Sequence, residues 1–389
     1  MHVARKHKSD ISIPLTASDQ IIQTSDKLTA QEKAYYMASG RKLMWWRLKK
    51  HKLAMVALPI LMLLYLGAIF AEFIIPYPAE MTFSNYKSCP PQRIRIYDPE
   101  AGFTAPFVYG LTREVDLVNF TRTFVPDTSV RHPVRFLSKG EPYMLWNTFR
   151  GETHLITSDG PMFLLGTDQL GRCMFSRIIY GSRISLSIGL VGVAMTFILG
   201  MTLGAISGYA GGFIDNMIQR LIELIMCLPA VPLWMALAAS FPRDWGTLQM
   251  YLGIVVVMSF IGWTGLARIV RGKILSMRDE DFALAAKIAG ASNAYILRKH
   301  LLPSMTSYII VSLTMTIPAT IIGETALSYL NLGLRPPVIS WGVLMQSANS
   351  LPAIAGQPWL LLPIVWLTVT SLCFNFVGDG LRDAADPYK

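Results

Sequence analysis

The chain has 389 residues, of which 52% are hydrophobic and only 15% charged, and that balance excludes an ordinary soluble globular protein. Its formal net charge is +10 at pH 7. The excess sits beside long apolar runs rather than on one broad face, which argues against a nucleic-acid-binding surface and for a membrane chain.

The first 40 residues are polar and without periodicity, so a mobile tail is expected there. Arg41, Lys42, Arg47, Lys49, Lys50 and Lys52 then stand directly before the charge-free run from Leu53 to Ala71. That run is long enough to cross an apolar layer of about 30 Å at about 1.5 Å per residue. The positive-inside rule places residues 1–52 in the cytoplasm as an N-terminal tail. A cleaved signal peptide would carry an apolar stretch of about 7 to 15 residues and a small-residue cleavage site. Glu72-Phe-Ile-Ile-Pro76 follows instead, so 53–76 is read as an uncleaved first transmembrane helix.

Residues 77–176 hold no spanning run and mix Pro, aromatic and charged residues, which predicts an external, periplasmic domain of short strands and loops. The run from Ile184 to Tyr209 is charge-free, with Gly192, Thr196, Gly200, Gly204 and Gly208 spaced by four. Such a stripe lets another helix backbone approach closely. Two readings stay open for it, packing inside this chain and packing against a partner subunit. Gly208 to Asp215 makes a cytoplasmic turn, and the run from Leu224 to Ser240 returns outward with Pro229 and Pro232 inside it, which invites a kink beside a gated path. After an external turn from Phe241 to Gly246, the run from about Leu248 to Val270 goes back in, and Arg268, Arg271, Lys273 and Arg278 mark the cytoplasmic side.

A polar, basic interval then carries a candidate coupling loop, 276–303. Ser276 reads as an N-cap with Asp279 three positions on, Asp279, Glu280 and Asp281 suit the positive end of a helix, Gly290 reads as its C′ stop and Ser292 as the cap of a second short helix. Phe282, Ala285, Ala286 and Ala289 fall close to one helical face. Two short helices joined at Gly290 make a knob suited to docking rather than catalysis. Ser304 to about Leu330 spans outward, Pro336 to Pro358 forms the last external loop, Trp359 to Val377 is the sixth span, and 378–389 closes in the cytoplasm. The membrane core is thus 177–377, five helices with the coupling loop. Glu223 and Glu324 are read as intramembrane carboxylates, expensive unless they face protein or water.

No G-x-x-x-x-G-K-[ST], H-E-x-x-H or paired C-x-x-C occurs, so no catalytic residue, metal site or bound cofactor is assigned. His2, His7, His51, His132, His154 and His300 are scattered and read as solvated or locally bonded. Cys227 and Cys373 lie in spans and read as packing residues.

Leu284-Ala285-Ala286, Gly290 and His300-Leu301-Leu302-Pro303 resemble the EAA motif of ABC importer permeases, with Leu284 in place of the Glu and His300 in place of an aliphatic. Gly166, Thr167, Asp168, Gly171, Arg172, Ser176, Arg177, Gly181 and Arg183 resemble the segment leading into the permease core of second-type permeases in the dipeptide/oligopeptide/nickel branch, with Cys173 in place of an acidic residue. The ending from Gly378 to Pro387 is similar as well. The resemblance implies an all-α integral membrane protein of six transmembrane helices, a type I ABC importer permease of the bacterial inner membrane, with both termini cytoplasmic. It also implies a second permease subunit, two cytoplasmic ATPase subunits that bind ATP and Mg, an extracytoplasmic substrate-binding protein and surrounding lipid, with no nucleic acid. The ATPase-coupling residues it picks out are Phe282, Ala285, Ala286, Gly290, Ala291, Leu302 and Pro303. Peptides are the expected cargo, and oligosaccharides, opines and nickel are the alternatives within the class. A proton-coupled secondary transporter using Glu223 and Glu324 is the alternative outside it, and a structural scaffold a third. Cys89 and Cys173, both in the external domain, are a candidate disulfide, because thiols persist as disulfides in an oxidising periplasm.

Overall fold

The structure is a computed structural model, and it describes residues 40–98, 102–115, 122–242 and 244–385. The tail expected over the first 40 residues, with His2 and His7, lies outside the described residues except for Gly40, and so do Asp386 and Pro387.

The apolar runs fold as long helices. A short helix α1 (Gly40–Lys50) leads into α2 (Lys52–Ile69). Later come α3 (Met174–Ala210), α4 (Gly212–Met226), α5 (Ala230–Ala239) and α6 (Thr247–Met277). Two short helices, α7 (Asp281–Ile288) and α8 (Asn293–Ile296), precede α9 (Thr306–Tyr329), α10 (Trp341–Met345) and α11 (Leu362–Ala385). Among the described residues five helices are long and apolar enough to cross a membrane, and a sixth crossing exists if α4 and α5, bent by 85°, count as one. The expected kink is therefore a full break. Pro229 has no N–H to continue a helix and holds an extended ψ of 127°, so α4 stops and α5 starts again after it.

The main core lies where α2, α3, α9, α10 and α11 meet. Leu61, Ile178, Leu186, Ile321, Leu344 and Phe374 belong to one buried cluster with Trp341, which is wholly buried. Trp341 donates its backbone N–H to Ser185 Oγ (3.0 Å) and its indole N–H to the Ile178 carbonyl (3.2 Å), which fixes α10 on α3. The stripe on α3 faces α6. A Cβ on Gly204 would stand 2.5 Å from the Ala267 carbonyl oxygen, and one on Gly208 would stand 2.8 Å from that of Arg271. Of the two readings of the stripe, packing inside this chain is the one observed for those positions, while Gly192 faces Thr320 of α9.

Between α2 and α3 the chain forms a four-stranded antiparallel sheet in sequence order: β1 (Arg95–Asp98), β2 (Gly102–Val115), β3 (Arg122–Leu145) and β4 (Phe149–Ser158). The expectation of short strands needs correcting, since β3 runs for 24 residues. Polar residues on both faces of β2 and β3 hide the two-residue alternation that would have revealed them. The mostly helical fold therefore carries a substantial β component. The sheet is tied to the end of α2. Trp146, in the β3–β4 turn, donates its indole N–H to the Ile69 carbonyl (2.9 Å). His154 on β4, buried to 1% exposure, places Nδ1 2.5 Å from the Ile75 carbonyl and Nε2 2.7 Å from that of Glu141. His51 accepts the Ala54 N–H at the start of α2. Reading the histidines as locally bonded holds for His51, but His154 bridges segments far apart in the chain.

Candidate functional site: the knob and the latch

The knob between α6 and α9 is built from local rules. Asp281 sits in the first turn of α7, where its charge meets the positive end of the helix. At the other end Gly290 has φ of +83°, its N–H bonds the Lys287 carbonyl (3.0 Å), and the Ala291 N–H bonds that of Ala286 (3.0 Å). This is a Schellman stop, which needs the left-handed conformation that glycine adopts without penalty. Ser292 caps α8 by accepting the Tyr295 N–H (3.3 Å). The expected N-cap at Ser276 is a correction: Ser276 lies in the last turn of α6, where its hydroxyl donates to the Lys273 carbonyl (2.8 Å), and Glu280 is the capping position.

A few small or apolar side chains anchor the knob. Ala283, Ile296 and Leu301 are buried against Ala205 of α3 and Val270 and Ile274 of α6, with Ala286, Ala291 and Leu302 half-buried beside them. Tyr209 donates its hydroxyl to Asn293 (2.9 Å), and Arg278 donates to the Gly208 carbonyl (3.3 Å). The other sequence-derived coupling residues, Phe282, Ala285, Gly290 and Pro303, are exposed. They are joined by Leu284, Tyr295 and above all Ile288, which is 87% exposed. Ile288 escaped the motif reading, although Leu284 and Ile288 are four apart and share a helical face.

The motif before α3 gathers into a second cluster, a latch. Asp168, 3% exposed, accepts from the backbone N–H groups of Leu170 and Arg172 (2.9 Å each) through Oδ1. Its Oδ2 accepts from Arg172 Nε (2.8 Å) and Arg177 Nη1 (2.6 Å). Thr167 donates its hydroxyl to the Tyr86 carbonyl (2.5 Å) and accepts the Cys89 N–H (2.8 Å), which fastens segment 83–92 to the start of α3. Gly166 and Gly171 have φ of +74° and +83°, and a Cβ on Gly171 would stand 2.3 Å from the Phe83 carbonyl oxygen. Ser176 is wholly buried with an unpartnered hydroxyl, and Gly181 lies against Ile339. Arg183 forms a fork on Glu72, at 2.7 and 2.6 Å, and also donates to the Ala68 and Ile69 carbonyls at the end of α2. Glu72 was missed as a partner because 111 residues separate the two.

Cys89 and Cys173 sit in one buried cluster with Phe163, but both are free thiols, so the candidate disulfide is not formed here. Tight aromatic packing accounts for their burial: Phe83 and Phe163 stand 5.1 Å apart edge to face, and Tyr86 and Phe163 5.3 Å apart. Burial pushes the Cys89 thiol up to about 12 and raises that of Cys173 as well.

The two carboxylates read as intramembrane part company. Glu324 is wholly buried in α9 and accepts from the Ser328 hydroxyl (2.7 Å) and the Ser340 hydroxyl (2.9 Å). Ser328 in turn accepts the Leu334 N–H (2.9 Å), and Ser340 caps α10 at the Val343 N–H (3.3 Å). Glu324 thus pins the loop between α9 and α10. Glu223 is about half exposed and paired with Arg220 at 2.7 Å. Its position one turn from Arg220 on α4 provides the counter-charge. Asp215 and Arg271, which sequence reading treated only as turn and orientation markers, form a bidentate pair at 2.6 Å between α4 and α6. Among the described residues no group of His, Cys, Asp and Glu has the arrangement of a metal site.

A family model described as binding-protein-dependent transport system inner membrane component matches residues 200–388, and one described as the N-terminal TM domain of oligopeptide transport permease C matches residues 39–91. Over 224 residues the chain is 41% identical to the dipeptide transport system permease protein DppC of Bacillus subtilis (strain 168), covering 57% of this chain and 68% of that one. Over 344 residues it is 33% identical to the DppC protein of Lactococcus lactis subsp. cremoris (strain MG1363), covering 88% and 89%. The oligopeptide transport system permease protein OppC of Bacillus subtilis is 36% identical over 239 residues, covering 60% and 76%.

Proposed function

The chain belongs to the family of binding-protein-dependent transport system inner membrane components, as an ABC peptide importer permease, and from that premise we propose how its parts divide the work. It is a multi-pass membrane permease subunit that carries peptides, and it is a permease rather than an enzyme. We read α4 and α5 as one broken crossing, which gives six. Residues 77–176 then lie outside the cytoplasm, and 1–52, 276–303 and 378–389 lie within it. The basic residues Arg268, Arg271, Lys273 and Arg278 next to the knob support that orientation.

In this reading the knob docks a cytoplasmic ATPase through Phe282, Leu284, Ile288 and Tyr295. Two such ATPases bind ATP and Mg and hydrolyse the nucleotide, and this chain binds no cofactor of its own. A second permease completes the path, and an extracytoplasmic binding protein delivers the peptide. ATPase closure pulls on the knob, and the two permeases rock between inward and outward access. The observation that carries the reading is the Schellman stop at Gly290, which holds an exposed apolar face at the end of two spans.

The test is uptake into sealed vesicles that contain the whole complex. Uptake should require ATP and survive a protonophore, and Glu324→Gln should retain it, because a Gln Oε1 can accept both serine hydroxyls. Uptake driven by a pH gradient without ATP would overturn the proposal in favour of a proton relay.

A further inference from the structure

The β3–β4 hairpin ends in a patch of large apolar side chains that the sheet leaves uncovered. Trp146 and Phe149 are 49% and 60% exposed, and Met144 is exposed beside them. The rings of Trp146 and Phe149 stand edge to face at 6.4 Å, and Trp146 also lies 6.1 Å from Phe70, the residue that follows α2. Trp146 has φ of +52°, a left-handed backbone that bulky side chains rarely adopt. Its indole N–H is bonded to the Ile69 carbonyl (2.9 Å), which also accepts from Arg183. A hairpin tip in water would carry Gly or Asn at such a position. This one holds an aromatic residue against the last turn of α2.

The height of the tip says what covers it. Helix α2 has 18 residues and rises about 27 Å at about 1.5 Å per residue, close to the roughly 30 Å of an apolar bilayer core. Ile69, its last residue, therefore stands at the far boundary of that core, with Trp146 beside it. The exposed face of α2 also runs into the patch, since Met62, Leu66, Ile69 and Phe70 are all exposed and recur at helical spacing. The small residues Ala54, Ala57 and Ala68 are buried against the rest of the chain instead. Helices that meet in a membrane do so preferentially through small residues, so the large side chains on the opposite face are those left to lipid. That lipid face continues into Phe70, Trp146 and Phe149. Tryptophan is enriched where such a face meets the headgroups, because its ring is apolar and its N–H polar.

Resting on the reading of α2 as the first crossing and of the sheet as external, we propose that the β3–β4 tip is a membrane anchor. Met144, Trp146 and Phe149 dip into the headgroup layer of the outer leaflet, alongside the lipid-facing side of α2. The partner of this patch is a lipid surface rather than a protein. The sheet is then held at two heights, by His154 on the Ile75 carbonyl and by the tip in lipid. It stands fixed beside the first crossing instead of swinging on the loops that join it to the helices.

The experiment places a nitroxide spin label on the full chain in the complete complex, in nanodiscs of phosphatidylethanolamine and phosphatidylglycerol. Of the four cysteines only Cys227 is exposed, so Cys227→Ser gives the background. Phe149→Cys takes the label at the tip, and Met144→Cys is a second tip position should the first fail to assemble. Leu63→Cys, at an exposed position of α2, reports on the crossing. Spectral broadening is read with dissolved oxygen, which concentrates in lipid, and with a nickel chelate confined to water. The Leu63 label should lose the nickel response altogether, and the tip labels should show it well below their oxygen response. A nickel response at the tip equal to or above the oxygen response, with the Leu63 label in lipid, would overturn the anchor and put the tip in water. A tip closed to both reagents would overturn it as well, because a protein partner would then cover the patch. A nickel response at Leu63 would instead remove the reading of α2 as a crossing, and the anchor with it.

Discussion

At the latch a single carboxylate, Asp168, meets two guanidinium groups and two backbone N–H groups, with Asp168 and Arg177 buried and Arg172 at the edge. At the knob, by contrast, Ile288 stands 87% exposed and Phe282, Leu284 and Tyr295 are between 42% and 52% exposed. The latch is complete within one chain, because each of its charges has found a partner. The knob has well-formed ends and an uncovered face, which is how a segment looks when its local structure is stable and its packing is left to another molecule. Substitutions in the first should therefore register in folding, and substitutions in the second in transport.

The largest effect on folding is expected at the latch. Asp168→Ala leaves Arg177 buried without its counter-charge and should destabilise the protein by about 3–5 kcal/mol, read as a lowered melting temperature in detergent. A shift equivalent to less than about 1 kcal/mol would show that the latch is not the self-sufficient unit described. At the knob, Gly290→Val has room for its side chain, since nothing lies within 4 Å of an added Cβ, but must hold φ at +83°. The strain of about 1–3 kcal/mol should fall on the turn alone and cut ATP-driven uptake at normal protein level. Gly290→Asn, which tolerates that φ, should transport nearly normally, and equal losses in both variants would count against backbone conformation as the cause.

The thiol behind the latch gives a pH signature. Cys89 titrates near 12 in the folded chain because burial disfavours the thiolate. Below about pH 8.5 both folded and unfolded chains keep that proton. Above it only the unfolded chain releases the proton, so stability should fall by about 1.4 kcal/mol per pH unit as pH rises toward 12. Cys89→Ala should flatten part of that slope, and an identical slope would assign it to other groups. The smallest effect on folding is expected at Ile288→Ser, within about 0.5 kcal/mol, while retention of the ATPase subunit on the purified permease should drop about tenfold. Full retention would mean that the exposed face has another use.

How far sequence reading reached follows the same division. The spans, the glycine stop at Gly290 and the cap at Ser292 were legible because each depends on residues within a few positions of one another. The Asp168 motif was visible as a run, but its geometry was not, since Thr167 answers Tyr86 and Cys89 some 80 residues earlier. The Asp215–Arg271 and Glu72–Arg183 pairs were invisible for the same reason. The long strands β2 and β3 escaped because Arg113, Glu114 and Thr123 are exposed on them and break the apolar alternation. The complete break after Met226 was half legible: Pro229 signalled it, but an apolar run that continued across it suggested a single bent helix.

The fork between Arg183 and Glu72 also bears on the timing of biosynthesis. Glu72, just beyond the end of α2, emerges with its carboxylate unanswered, and 111 further residues must be made before the guanidinium arrives. At about 5–20 residues per second the delay is roughly 5 to 20 seconds, during which the whole sheet-forming stretch is delivered and the first helix is held by lipid alone. When Arg183 appears it clasps the carboxylate and two open carbonyls at the end of that helix in one step. The pair then works as a checkpoint of topology, satisfied only if the intervening stretch has ended on the same side of the membrane on which it began.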